Sequence, residues 1–269
     1  MMDRFLREAM SEDVGRGDLY ALVEPSVSTK ATIIAKSSGV LAGREYLDRL
    51  ADLEGFSIEW FFSDAEAFGS GDLLAKLSGE SHTLLRVERV FLNILLHASS
   101  IATHTRAFVD LAGSTAMLDT RKTRPLLRVF EKYASRCGGA TNHRMGLDDA
   151  LMLKDTHLKT ILDLKSYIKK ARKVIPFTTK IEVEVESLEM AKVAFDADAD
   201  IVMCDNMSLD EIRSVVDLRD ANYKHILLEA SGNVSLESVA NYAKTGVDAI
   251  SSGSMIHQAK WIDISMKIE

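Results

Sequence analysis

Residues 180–205 read KIEVEVESLEMAKVAFDADADIVMCD. A short apolar run from Ile181 ends among acids, residues 187–196 carry helical spacing, and a second apolar run from Ile201 ends at Asp205. Runs this short and apolar predict buried strands, and strand, helix, strand predicts a right-handed parallel βαβ unit.

The rhythm repeats outward from that unit. TAMLDT (115–120), DALMLKD (149–155), HILLEAS (225–231) and VDAISSG (247–253) are further runs of the same kind. Helix candidates fall at 125–136, 158–173, 187–196, 208–219 and 235–245, with start signals at Ser208 with Glu211 and at Ser235 with Ser238. Six such units predict an α/β barrel, complete or partial, and a doubly wound open sheet is the alternative. The rhythm is absent before Gly113. There, ATIIAKSSGVLAG (31–43) reads as strand, turn, strand, and 84–112 as one long helix or two joined ones.

The chain has 269 residues, 46% apolar and 27% charged, with a formal net charge of −7. An acidic surface excludes a general nucleic-acid or membrane-surface role, since both need a broad basic face. Two cysteines, Cys137 and Cys204, lack zinc-ligand spacing and suit buried thiols in a reducing compartment. The opening MMDRFLREAMSEDVG has no apolar signal-peptide core, and the most apolar run, VFLNILLHASSIA (90–102), is too short and too interrupted to span a bilayer. A soluble cytoplasmic protein is predicted.

A barrel places its active site at the carboxyl ends of its strands. Those positions hold Asp119, Arg121 and Lys122, then Lys154, Glu184, Asp205, Glu229 with Ser231, and Ser252 with Gly253. Residues 119–144 carry seven cations against two acids, a balance of +5 that leaves −12 for the other 243 residues. Arg121, Lys122, His143, Arg144 and Lys154 suit carboxylate and phosphate ligands. Arg124, Arg128, Lys132 and Arg136, about four residues apart, predict a solvated helix face. Glu182, Glu184 and Glu186 give one strand a polar face, and Glu184 with Asp205 could hold Mg²⁺, directly or through water, or sugar hydroxyls. The Ser-Gly pairs of EASGN and SSGSMIH fit phosphate loops. His143 and Arg144 are not a metal pair, and His82, His97, His104, His157 and His225 are read as surface or packing residues.

The motifs DTRKTRP, EKYASRCGGATNHRMGLDDALMLKDTH, EVEVES, CDNM, EASGN and SSG, with EDVGRGDL, GVLAG, VERVFLN and SSIATHT before them, occur in that order over essentially the whole chain. The chain resembles the quinolinate phosphoribosyltransferases. The resemblance implies an N-terminal α/β sandwich domain at 1–105, with the tail 258–269 packing back on it, and a partial α/β barrel at 106–257. It implies transfer of phosphoribose from phosphoribosyl diphosphate to quinolinate with decarboxylation, in NAD biosynthesis, with Mg²⁺. It implies a homodimer or higher homo-oligomer in which Arg89 completes the neighbouring site. Arg121, His143, Arg144 and that Arg89 would face the quinolinate carboxylates, and Lys122 and Lys154 the diphosphate and reacting carbons. Glu184 and Asp205 would hold ribose hydroxyls and metal. Ser231, Gly232, Ser252 and Gly253 would hold the 5′-phosphate, with His257 near.

The chain departs from the family pattern at Leu126 after Pro125, at Ala140-Thr141 after the glycine pair, at Ser100, and at Leu19-Tyr20. None of these removes a charged site group. The alternatives are a related phosphoribosyltransferase for another nucleobase acid, a Schiff-base lyase using Lys154, and a non-catalytic phosphosugar-binding module.

Overall fold

The structure is a computed structural model that describes all 269 residues. The chain runs through helix α1 (Met2–Val14), strands β1 (Ser28–Ala35) and β2 (Gly39–Val40), and helix α2 (Arg44–Glu54). Strands β3 (Ser57–Trp60), β4 (Ala67–Phe68) and β5 (Leu73–Glu80) lead into the long helix α3 (Ser81–Ala112). Strand and helix then alternate: β6 (Ala116–Leu118), α4 (Arg128–Cys137), β7 (Leu151–Leu153), the short α5 (Asp155–Leu158) and α6 (Leu164–Ala171). Next come β8 (Ile181–Val185), α7 (Leu188–Asp196), β9 (Ile201–Asp205) and α8 (Leu209–Asn222). The last elements are β10 (Leu227–Ser231), α9 (Val239–Ala243), β11 (Ala249–Ser251), α10 (Ser254–His257) and β12 (Ile264–Ile268). No helix is long and apolar enough to cross a membrane.

Two compact units make up the chain. The first holds Met1–His104, Tyr133–Gly139 and Ala259–Glu269, and the second holds Thr105–Lys132 and Ala140–Gln258.

The first unit is built on an antiparallel sheet in the order β12-β1-β5-β3. Strand β1 alternates as a half-buried strand must, with Ala31, Ile33 and Ala35 inside and their neighbours turned out. Leu6 of α1, Leu47 and Leu50 of α2 and Phe91 of α3 are fully buried, and Phe91 stacks on Trp60 at 6.2 Å. Each such side chain contributes about 1.5–3 kcal/mol of burial. Helix α2 stops at Gly55, whose φ of 80° is the left-handed conformation that glycine adopts without strain.

The second unit carries the predicted six strands in one parallel sheet, ordered β6-β11-β10-β9-β8-β7. Each strand from β7 to β11 lies beside its successor and β6 closes against β11, the neighbour order of a barrel left open between β6 and β7. The doubly wound alternative is thereby excluded. All five residues of β8 are buried, as a strand covered on both faces requires. In that opening Thr141 runs parallel to β6, its N–H donating to the Met117 carbonyl at 2.8 Å.

Local chemistry sets the helix ends. Ser208 and Glu211 form the predicted capping box on α8, and Asp163 caps α6 through the Lys165 and Ser166 N–H groups. Helix α9 is shorter than the predicted 235–245, because the Ser235 N–H donates to the Ser238 hydroxyl in a turn that precedes it. Below the sheet, Arg219 is 7% exposed and its guanidinium donates to Asp248 at 2.7 Å, while the same carboxylate oxygen accepts the Leu228 N–H. Removing that acceptor leaves the Leu228 N–H unmatched and the buried guanidinium with Asp220 as its one remaining acidic partner. Asp248→Ala is expected to lower the free energy of unfolding by about 2 kcal/mol. Urea denaturation checks this, and a loss within experimental error would refute it.

Candidate active site

The carboxyl ends of the parallel strands surround a cavity of about 400 Å³. It is lined by Asp119, Arg121, Lys122, His143, Arg144, Lys154, Glu184, Asp205, Glu229, Ser231 and Gly232, so the predicted strand-end groups share one space. A second cavity of about 170 Å³ adjoins it, sharing Thr120, Lys122, Ser231, Gly232, Asn233 and Ser251, and adds Ser252, Gly253 and His257. Arg89 is exposed on α3 and lines neither cavity.

One side of the larger cavity is cationic. The Arg121 guanidinium and Lys122 ammonium meet no acid, whereas the Arg144 guanidinium donates to the Ala150 carbonyl at 3.1 Å and touches the Met152 sulfur. Burial first, and the Arg121 charge beside it, hold Arg144 below its ordinary value. Two like charges brought together with no counter-ion favour an entering anion.

The opposite side is mixed. Lys154 Nζ donates to Glu184 Oε2 at 2.6 Å, and the Asn206 amide donates to Asp205 Oδ2 at 2.7 Å, so each acid keeps a second oxygen for a ligand. The His157 ring, read from sequence as surface or packing, holds the backbone here. Its Nδ1 accepts the Lys154 N–H at 3.0 Å and fixes the turn that carries the lysine.

The loops after β10 and β11 form the third part. Gly232 has φ of 92°, and a Cβ there would overlap the Asn206 side chain, so only glycine lets the β9 and β10 loops close on each other. A Cβ on Gly253 would lie 2.8 Å from Lys122 Cδ, which places the lysine stem across that glycine. Ser252 is buried and its hydroxyl donates to the Val234 carbonyl at 3.0 Å, leaving backbone rather than hydroxyl to meet a ligand.

One expectation is corrected. Arg128 and Lys132 are not part of a solvated face: Lys132 is fully buried and Arg128 donates to the Met145 carbonyl at 3.0 Å, whereas Arg124 and Arg136 are exposed, Arg124 while pairing with the buried Glu131 at 2.5 Å. His143 meets two glutamates, Glu182 and Glu229, from strands β8 and β10 of the sheet. Its Nε2 lies 3.1 Å from Glu182 and 3.3 Å from Glu229, two carboxylates that are 1% and 2% exposed. Burial works to lower His143, but the hydrogen bonds and charges of the two glutamates outweigh it and push it up to about 10. Burial raises Glu182. Nδ1 accepts the Arg144 N–H at 2.7 Å and so keeps its lone pair. A ring that keeps this bond is neutral and leaves the proton on Glu182, whereas a charged ring between two carboxylates gives the bond up, and the two contain the same number of protons. Both describe a cluster that holds one proton more than its members would hold in water.

Asn206, Asn233, Thr120 and the hold of His157 on Lys154 escaped the sequence reading, which took Glu182 only as part of a polar strand face. The signal for the asparagines was available in part, since Asn-rich loops after strands tolerate the left-handed backbone that Asn206 and Asn233 adopt, at φ of 53° and 38°.

Known proteins share both the motifs and the architecture. Residues 18–99 match the model of the quinolinate phosphoribosyl transferase N-terminal domain and residues 101–267 that of the C-terminal domain. A probable nicotinate-nucleotide pyrophosphorylase [carboxylating] from Synechocystis is 40% identical, covering 100% of this chain and 92% of the relative. The protein of that description from Bacillus subtilis is 38% identical over 99% and 93% of the two chains. The solved structure of the nicotinate-nucleotide pyrophosphorylase from Francisella tularensis superposes with a TM-score of 0.94 at 35% identity, covering 100% of this chain and 96% of that one.

The histidine cluster has a pH signature. His143 is raised on folding from 6.5 to about 10, so its contribution to stability is complete below pH 6.5 and is lost as pH rises through 10. Unfolding free energy is expected to fall across that window, and His143→Gln to flatten the fall. Denaturation curves at a series of pH values decide it, and an unchanged slope in the variant would refute it.

Proposed function

The chain belongs to the quinolinate phosphoribosyltransferase family, and on that premise we propose that it joins quinolinate to phosphoribosyl diphosphate. The products are nicotinate mononucleotide, carbon dioxide and diphosphate, a step of NAD biosynthesis. The observation that carries this reading is the division of one cavity into unpaired cations, an acid–lysine side and a glycine-lined loop pair. A ring dicarboxylate, a ribose diphosphate and a 5′-phosphate need those three surroundings.

Arg121 and Arg144 take the carboxylates of quinolinate and hold the ring nitrogen in line with the anomeric carbon. Lys122 and Lys154 stand against the departing diphosphate, where charge grows as the ribose becomes cationic. Glu184 and Asp205 accept from ribose hydroxyls. Backbone N–H groups around Gly232 and Gly253 receive the 5′-phosphate, with His257 exposed at its edge. Once alkylated, the ring nitrogen is positive and draws the electrons released when the adjacent carboxylate leaves as carbon dioxide.

The donor set fits Mg²⁺. Glu184 and Asp205 each keep an oxygen free of Lys154 and Asn206, and hard carboxylate oxygens in a wet cavity suit this ion, directly or through water. The chemistry that Mg²⁺ supplies when bound is neutralisation of charge on the diphosphate.

The working unit in this reading is at least a dimer in which Arg89 reaches the partner's cavity. Its exposure supports this, as does the apolar surface of the same unit at Leu19, Leu22, Val23 and Val27, each more than half exposed.

Carbon dioxide release from quinolinate labelled at the 2-carboxylate tests the reaction. It should require phosphoribosyl diphosphate and Mg²⁺ and match nicotinate mononucleotide formed. Release from a different nucleobase acid, with none from quinolinate, would replace the substrate. In Arg121→Ala and Arg144→Ala, quinolinate affinity should drop by about 10- to 100-fold while phosphoribosyl diphosphate affinity is kept. Equal loss of both would undo the assignment. Mixing Arg89→Ala with Lys154→Ala subunits should restore part of the activity that each variant lacks, and a confirmed mixed dimer with no recovery would refute a shared site.

A further inference from the structure

Lys132 is fully buried and lines neither cavity, yet its ammonium divides its three N–H groups between Asp119 and two consecutive backbone carbonyls. Nζ lies 2.5 Å from Asp119 Oδ1, 2.6 Å from the His143 carbonyl and 3.1 Å from the Arg144 carbonyl. Asp119, also fully buried, takes the His143 N–H on Oδ1 at 2.9 Å and the Asn142 amide on Oδ2 at 2.5 Å. The Asn142 amide donates in addition to the Lys132 carbonyl at 2.9 Å. Residues 142–144 are therefore gripped from both sides by two side chains that are themselves an ion pair.

A buried ion pair is a poor device for stability alone, because an apolar pair of similar volume does as well or better. What an apolar pair cannot supply is directed bonds to backbone carbonyls. Nor can it cancel a carboxylate. Asp119 lines the cavity on the side where Arg121 and Arg144 await an anion. Without a counter-ion it would draw those guanidiniums to itself and compete with a ligand carboxylate.

We infer that Lys132, acting through Asp119, is a positioning residue for recognition of the dicarboxylate: it sets the place of His143 and Arg144 and neutralises the acid among the cations. The inference rests on the reading above for the identity of the ligand, and on geometry alone for the hold on the loop. The phosphate loops follow β10 and β11, whereas the bonds described here hold residues 142–144, so the effect is expected to fall on one substrate.

In Lys132→Met the KM for quinolinate should rise between about 10- and 100-fold, the scale of a misplacement near 1 Å. The KM for phosphoribosyl diphosphate should stay within about threefold, and amide hydrogen exchange over 139–146 should quicken. Lys132→Arg restores the charge, but its planar fork cannot reach three acceptors arranged around one point, so it too should exchange faster and bind quinolinate poorly. It carries both readouts if the methionine variant does not fold. Equal rises in both KM values, or unchanged exchange over 139–146, would overturn the inference. If the wild type does not turn over quinolinate, the substrate reading falls and hydrogen exchange alone decides whether Lys132 holds the loop.

Discussion

A parallel sheet covered on both faces leaves its polar groups few places to stand. In the second unit the strand interiors are taken by Val183, Val202, Leu228 and Ile250, all fully buried. Charge is therefore driven to the strand ends, and parallel direction puts every carboxyl end on one edge. The site follows from that constraint: six elements far apart in sequence deliver their last residues to a common space, and the ladder hydrogen bonds fix the spacing.

Within that space, charge is sorted. Cations with no acidic partner cluster at Arg121, Lys122 and Arg144, whereas Lys154 and Glu184 are matched. The mutual repulsion of these cations is what an entering anion relieves. The deeper charges behave oppositely. Asp119 is matched by Lys132, and His143 lies between Glu182 and Glu229, so these charges have partners within the protein.

Much of this was legible in the sequence, for identifiable reasons. Buried parallel strands are short and apolar on both faces, so the six runs declared themselves, and the Ser208–Glu211 box marked a helix start by chemistry that acts over three residues. The strand-end groups followed from topology. Lys132 did not, because its four-residue spacing from Arg128 and Arg136 is the pattern of a wet helix face, and only the arrival of Asp119 and two carbonyls makes burial tolerable. Glu182 and Glu229 lie on β8 and β10, and their meeting at one imidazole is a fact of sheet order that no local pattern contains. The helices predicted at 158–173 and 235–245 begin later than expected, at Leu164 and Val239, because turn chemistry at Asp163 and Ser238 holds the preceding backbone out of the helix.

The opening between β6 and β7 has a consequence for how such a chain can change over generations. The segment around Thr141 stands where a strand would complete the cylinder, yet it is joined to the β6 edge by a single bridge of two backbone hydrogen bonds, with side chains holding the residues after it. Insertions or replacements there shift no ladder register. The part of the mouth built by residues 141–144 can thus change apart from the loops after β8 to β11, and the gap in the wall is where such change disturbs the sheet least.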